Sequence, residues 1–209
     1  MDFTEMDREE DRVPTPAKKK NSANLVLVYL HDFVFLMCVI VVVMLMVLRI
    51  VVVSGPSMNR TLIDGDYLLL LSNTFYRTPE QGDIVVASKA AFENGDPIVK
   101  RVIAVEGQTV DIDFEKGIVY VDGAALDEPY TLTPTNRFEG VTFPLTVGNG
   151  YVFLMGDNRN ESKDSRHPEI GLVDRREILG KAIFLIVPGI SGETDQRDYD
   201  RIGALQQWN

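Results

Sequence analysis

Cysteine and histidine are nearly missing from this chain. One cysteine, Cys38, forbids an intramolecular disulfide, and two histidines, His31 and His167, are too few for a zinc site built from His and Cys. An excess of positive charge is missing too. The 21 Lys and Arg stand against 31 Asp and Glu, a formal net charge of −10, whereas nucleic-acid binding leans on basic residues that neutralise phosphates. Nucleic acid is therefore set aside as a partner. Beyond Ser54 there is no convincing amphipathic helix, and there is neither an internal repeat nor a low-complexity tract. What remains is ordinary for a folded domain. The 209 residues are 45% hydrophobic and 25% charged, which excludes wholesale disorder and bounds the chain to one domain with an attached segment.

The composition is uneven along the chain. Met1 to Arg12 is rich in acidic residues, and Pro14 and Pro16 lead into Lys18-Lys19-Lys20. With so little to bury, residues 1–24 read as a solvated, disordered tail. Phe33 to Leu48 then carries no charge, and after Arg49 the apolar run resumes through Val53. A bilayer core needs roughly 20 apolar residues in a helix, so residues 25–53 are expected to form an anchor, with Arg49 snorkelling to head groups and Tyr29, His31 and Asp32 near the opposite interface. A cleaved signal peptide fits less well, because its apolar region is only about 7–15 residues and only weak cleavage sites such as Val52-Val53-Ser54 come after this run. The lysine cluster places the N-terminus in the cytoplasm and everything after Val53 outside it, a single-pass protein of the cell membrane.

Residues 54–190 read as short β-rich runs bounded by Gly, Pro, Asn and Asp: 67–72, 83–88, 97–105, 109–113, 117–121, 150–155 and 181–187. Seven closely spaced strands predict a mainly β, antiparallel domain tethered by the N-terminal helix. Residues 191–209 form a polar tail ending near Trp208, and a docked or a frayed tail fits equally.

Three places could carry chemistry. Ser57 comes directly after Gly55-Pro56, a bend that projects a hydroxyl and leaves an amide free to face a developing oxyanion. A serine needs a base. His167 beside Asp164 offers one, as a triad. Lys100 offers another, since it interrupts the apolar strand Ile98-Val99-Lys100-Arg101-Val102-Ile103 and shares a face with Ile98, Val102 and Ala104, surroundings that disfavour an ammonium. From pattern alone a solvated lysine on an edge strand is the simpler account. The third place is the polar loop from Gly156 to Arg166. It fails the EF-hand pattern at Arg159 and Ser162, and the sequons at Asn59 and Asn160 are of a kind that arises by chance.

The order of these pieces is specific. An apolar anchor, then S-G-P-S-M at 54–58, K-R-V-I-A-V-E-G at 100–107 and G-D-N-R-N-E-S-K-D-S-R at 156–166 resembles bacterial type I signal peptidase (leader peptidase), with support at Gly65-Asp66 and at 82–86. The resemblance runs to about Val187. It implies Ser57 as the acylated nucleophile, Lys100 as general base, and Ser162 as the hydroxyl orienting that lysine. It also implies Asp164 and Arg166 as a bracing ion pair, and Asp157 and Asn158 as shaping the loop. Gly55 stands where many members carry a serine that helps the oxyanion hole, so it ranks second, and Asn59-Arg60 replaces the usual x-Pro. The implied activity is removal of signal peptides from exported preproteins after small residues at −1 and −3, at a bilayer surface, with no metal or cofactor. The short interval between Lys100 and Gly156 implies a compact, Gram-positive-like form. A catalytically dead binding module and a self-cleaving repressor are the rivals outside this activity. The repressor is disfavoured by the anchor and the lack of a DNA-binding segment. Oligomeric state, preferred preproteins and paralogues are not legible.

Overall fold

The computed structural model describes residues 22–89, 95–192 and 194–205. The chain divides into two units, residues 1–42 and 43–209. Lys18–Lys20 and Trp208 lie outside the described residues.

The first unit contains most of helix α1 (Ser22–Val47). Its stretch Leu25–Val47 is long and apolar enough to cross a membrane, since 23 residues at 1.5 Å each span about 34 Å against a hydrocarbon core of about 30 Å. Leu, Val, Ile, Met and Phe side chains along it are exposed on every face, so no protein core takes them up.

The apolar run does not stay helical to Val53. Leu48–Val52 forms strand β1, paired antiparallel with β2 (Tyr67–Ser72) in the register Leu48↔Leu71 to Val52↔Tyr67. The helix therefore ends at Val47, six residues short of Val53, where the apolar run stops. Branched Ile50, Val51 and Val52 favour a pleated strand once β2 offers an edge, and Val53 enters the core. Arg49 is consequently a strand residue opposite Leu70. Tyr29, His31 and Asp32 lie in the N-terminal part of the helical stretch.

The rest of the second unit is antiparallel β. Strands β3 (Ile84–Ala87), β4 (Ile98–Val105), β9 (Tyr151–Met155), β10 (Val173–Asp174) and β11 (Ile178–Val187) complete a sheet ordered β1-β2-β11-β3-β4-β9-β10, and β12 (Gly203–Ala204) adds to β11. A smaller sheet is ordered β7-β6-β5-β8, from β5 (Thr109–Asp113), β6 (Ile118–Val121), β7 (Ala124–Ala125) and β8 (Leu145–Thr146). Val110, Ile112, Val119 and Val121 of the small sheet pack on Ile103, Ala104, Phe153 and Met155 of the large one. A bulge between Val102 and Ala104 breaks the alternation in β4. Ile98 and Val102 therefore pack in one cluster while Ala104 joins the other, and the single apolar face expected around Lys100 ends at Val102.

Candidate active site

Two apolar residues just downstream anchor the bend Ser54–Ser57. Met58 and Leu62 are fully buried among Leu68, Leu70, Val86, Val99 and Ala182. The intervening turn closes through Asn59 N–H to Pro56 O (3.0 Å) and Leu62 N–H to Met58 O (2.9 Å). Driving two apolar side chains inward turns the polar side of the bend outward, leaving Ser57 half-buried. Gly55 takes φ +83°, a conformation that suits glycine, and donates its N–H to Asp64 Oδ1 at 2.8 Å.

Lys100 on β4 is 4% exposed, and its Nζ donates to Ser57 Oγ at 2.7 Å. The neighbouring Arg101 is wholly buried and grips Asp157 with two hydrogen bonds, Nε to Oδ1 (2.8 Å) and Nη2 to Oδ2 (2.7 Å). Its guanidinium lies 4.0 Å from the centre of the Tyr130 ring and also donates to Gly82 O. Asp157 Oδ2 accepts the Thr61 hydroxyl at 2.5 Å. Next to it, Asn158 donates its backbone N–H to Ser57 O (3.0 Å) and its side-chain amide to Pro56 O (3.1 Å). Arg101, Asp157 and Asn158 thereby fasten the serine bend to the strand that carries Lys100.

The loop 156–166 is packed rather than open. A methyl group at Gly156 would overlap Ser162 Oγ and the Ser57 carbonyl, so only glycine admits this approach. Asp164 is fully buried and collects the Gly156 N–H (3.0 Å), the Ser162 hydroxyl (2.9 Å) and Arg166 Nε and Nη2 (both 2.8 Å). Burial alone would raise the Asp164 pKa, but the Arg166 hydrogen bonds and charge, helped by the Gly156 N–H and the charge of Lys100, hold it below the usual carboxylate value. Arg159, also fully buried, donates to Gly156 O (3.1 Å), to Thr135 Oγ1 (2.9 Å) and to both oxygens of Glu128. Arg166 Nη2 in turn reaches Arg159 O at 2.6 Å.

All eight residues singled out in the sequence belong to the second unit: Lys100 and Asn158 bond to Ser57, Arg101 holds Asp157, Ser162 and Arg166 meet at Asp164, and Gly55 bonds to Asp64 rather than to any of the other seven. The His167 ring is placed otherwise. Its Nδ1 accepts the Glu169 N–H at 3.2 Å, while both Asp164 oxygens are engaged by Arg166 and one of them also by Gly156 and Ser162. Sequence reading missed Arg101, Thr61, Arg159 and Glu128. Arg159 lies inside the quoted loop motif and could have been weighed, but nothing local marks Glu128. A cleft of about 440 Å³ borders the pair, with Val51–Ser57 on one wall, Asp96–Lys100 on another, and Lys163 beside them.

The family described as signal peptidase, peptidase S26, matches residues 26–187. A signal peptidase I of Bacillus caldolyticus is 35% identical over 164 residues, 73% of this chain and 86% of that protein. A probable signal peptidase I-1 of Synechocystis is 37% identical over 144 residues, 65% of this chain and 69% of that one. A crystal structure of a signal peptidase I from Enterococcus faecalis V583 aligns with 50% of this chain and 97% of its own, at 28% identity and a TM-score of 0.41.

Proposed function

The chain belongs to the signal peptidase family, peptidase S26, and is a serine endopeptidase; we propose that it removes N-terminal signal peptides from exported preproteins, cutting after small residues at −1 and −3, through a Ser57–Lys100 dyad and an acyl-enzyme. The observation that carries this reading is the 2.7 Å between Lys100 Nζ and Ser57 Oγ, with Lys100 almost wholly out of water.

As a neutral amine, Lys100 stands 2.7 Å from Ser57 Oγ, and its lone pair takes the Ser57 proton as Oγ attacks the substrate carbonyl. The Ser57 N–H has no partner among the described residues and can donate to the oxyanion. Collapse of the tetrahedral adduct breaks the peptide bond, and the Lys100 proton passes to the leaving amine of the mature chain. Water then attacks the ester, giving its proton to Lys100, and the signal peptide leaves as a carboxylate while Ser57 regains its proton. Ser162, whose own proton goes to Asp164, presents only lone pairs to other partners and suits orientation of the Lys100 amine. No step calls for a metal or cofactor.

Helix α1 supplies a span of the right length, and the Lys18–Lys20 cluster favours a cytoplasmic N-terminus and an extracytoplasmic peptidase unit. The cleft bordered by Val51–Ser57 and Asp96–Lys100 offers room for the residues before the cut.

The test is cleavage of a peptide with an Ala-x-Ala site in detergent micelles. Ser57→Ala and Lys100→Ala are expected to lose at least ~10³-fold in kcat, as removal of a nucleophile or base does, while His167→Ala stays within a few-fold of wild type. Near-normal turnover by Lys100→Ala together with loss in His167→Ala would transfer the mechanism to a triad with Asp164.

A further inference from the structure

The polar C-terminal segment returns to the active site. After β11 the chain crosses beneath the serine turn, where Gly189 N–H donates to Asp66 Oδ1 at 2.6 Å. A side chain at Gly189 would strike the Asp64 carbonyl, so this crossing is as close as backbone allows. Residues 199–201 form a single tight turn whose start is capped by the Asp198 carboxylate. β12 then pairs with β11, and Leu205 donates its N–H to Ile183 O at 3.1 Å while packing on the cluster that holds Met58 and Leu62.

This path delivers Arg201. Its Nη1 and Nη2 bind the two oxygens of Asp66 at 3.0 and 2.6 Å, and Nη2 also donates to the Thr61 carbonyl at 3.3 Å. Asp66 is fully buried and also accepts the Ile63 N–H at 2.8 Å. One guanidinium therefore holds the far end of the segment that begins at Ser57.

The near end is already held. Asn158 fixes the Pro56 and Ser57 carbonyls, while at the far end the Thr61 hydroxyl also binds Asp157. The segment between, Met58-Asn59-Arg60-Thr61-Leu62, contains no proline to stiffen it. We propose that Arg201 is a positioning residue for catalysis: by clamping Thr61 and Asp66 from behind, the C-terminal segment sets where Ser57 Oγ stands relative to Lys100. The catalytic part of this proposal rests on the Ser57–Lys100 reading above. Misplacing a reacting group by about 1 Å can cost ~10²-fold, so a loosened clamp acts on kcat rather than on substrate affinity.

The test uses the full chain in detergent micelles, with Arg201→Ala and Arg201→Lys. The lysine variant keeps a positive charge beside buried Asp66, so it folds even where alanine does not, but it lacks the fork that spans Asp66 and Thr61 together. Expected for Arg201→Ala is a kcat lower by about 10-fold or more, with KM within about twofold and partial recovery on adding methylguanidinium. Arg201→Lys falls between alanine and wild type. Amide hydrogen exchange in residues 58–66 quickens in both variants while β3 and β4 stay protected. An unchanged kcat, or a loss without rescue that tracks exchange throughout the domain, overturns the proposal. Should the wild type cleave no Ala-x-Ala peptide, the signal peptidase reading fails separately, and unaltered exchange in 58–66 would still sink the clamp.

Discussion

Asp164 is a carboxylate with no access to water and five donors around it, and Arg166 alone supplies three of them. Its ordinary folded-state pKa lies below the unfolded value, so its ionised form contributes stability that is complete above the unfolded pKa and is lost only as pH falls through the depressed one. Replacing Arg166 by glutamine reverses the sign. Burial then dominates, the folded pKa rises above the unfolded one, and stability is lost as pH rises. The variant should be less stable than wild type by about 3–5 kcal/mol at pH 7, as for other buried charges stripped of a partner, and the gap should narrow as pH approaches about 4.5. Denaturant unfolding at the two pH values measures this, and a gap independent of pH would refute it. The same residue also explains what sequence reading can reach. Asp164 and Arg166 are two positions apart and stand in one recognisable string. Arg101, by contrast, drew no reading of its own beyond lying on the strand face opposite Lys100, because its partner Asp157 is 56 residues away.

Elements are joined here by buried polar contacts as much as by apolar ones. Arg101 of β4, Asp157 of the loop 156–166 and Thr61 of the serine turn make a three-way joint with no exposed side chain on either member of the ion pair. Asp157→Ala should destabilise the domain by about 3–5 kcal/mol, because it leaves a guanidinium buried and unpaired. Adding Arg101→Met should recover much of that loss, since a well-packed apolar pair can stand in for a buried ion pair. Catalysis should not recover. Without the Asp157 acceptor the Thr61 hydroxyl has nothing to hold, and kcat is expected to stay at least ~10-fold low. Thermal unfolding and turnover, measured on both variants, separate the effects; a double variant with wild-type kcat would contradict the joint's role in catalysis. The longer strands were legible because turn residues punctuate them and period-two patterns fill them. β1 was not, since an apolar run reads alike as helix or strand and only pairing with β2 decides it. β7, β8, β10 and β12 are two residues each, too short to leave a pattern. The placement of Arg201 was equally hidden, with Asp66 lying 135 residues away.

At the scale of the whole molecule, the division of labour comes from connectivity. The apolar helix exposes its large apolar side chains from Leu25 to Met46 and ends at Val47, and β1 begins at the next residue. Ser57 comes ten positions after Val47, which keeps it within about 35 Å of the helix end whatever the path. On the proposed reading, in which α1 spans the bilayer, a signal peptide in that bilayer would present its end within the same reach, and tethering would replace a three-dimensional search by a local one. That gain would belong to encounter, not to chemistry, because Ser57, Lys100 and the bond between them lie in residues 43–209. A chain beginning at Leu48 should therefore cleave a soluble Ala-x-Ala peptide within several-fold of the full protein in micelles. On a preprotein inserted in vesicles it should be slower by at least ~10²-fold, since linkage alone raises effective concentration by that order. Equal processing of the vesicle-bound preprotein by both chains would show that the helix contributes nothing to encounter. A matching loss on the soluble peptide would show instead that it supports the fold of the catalytic unit.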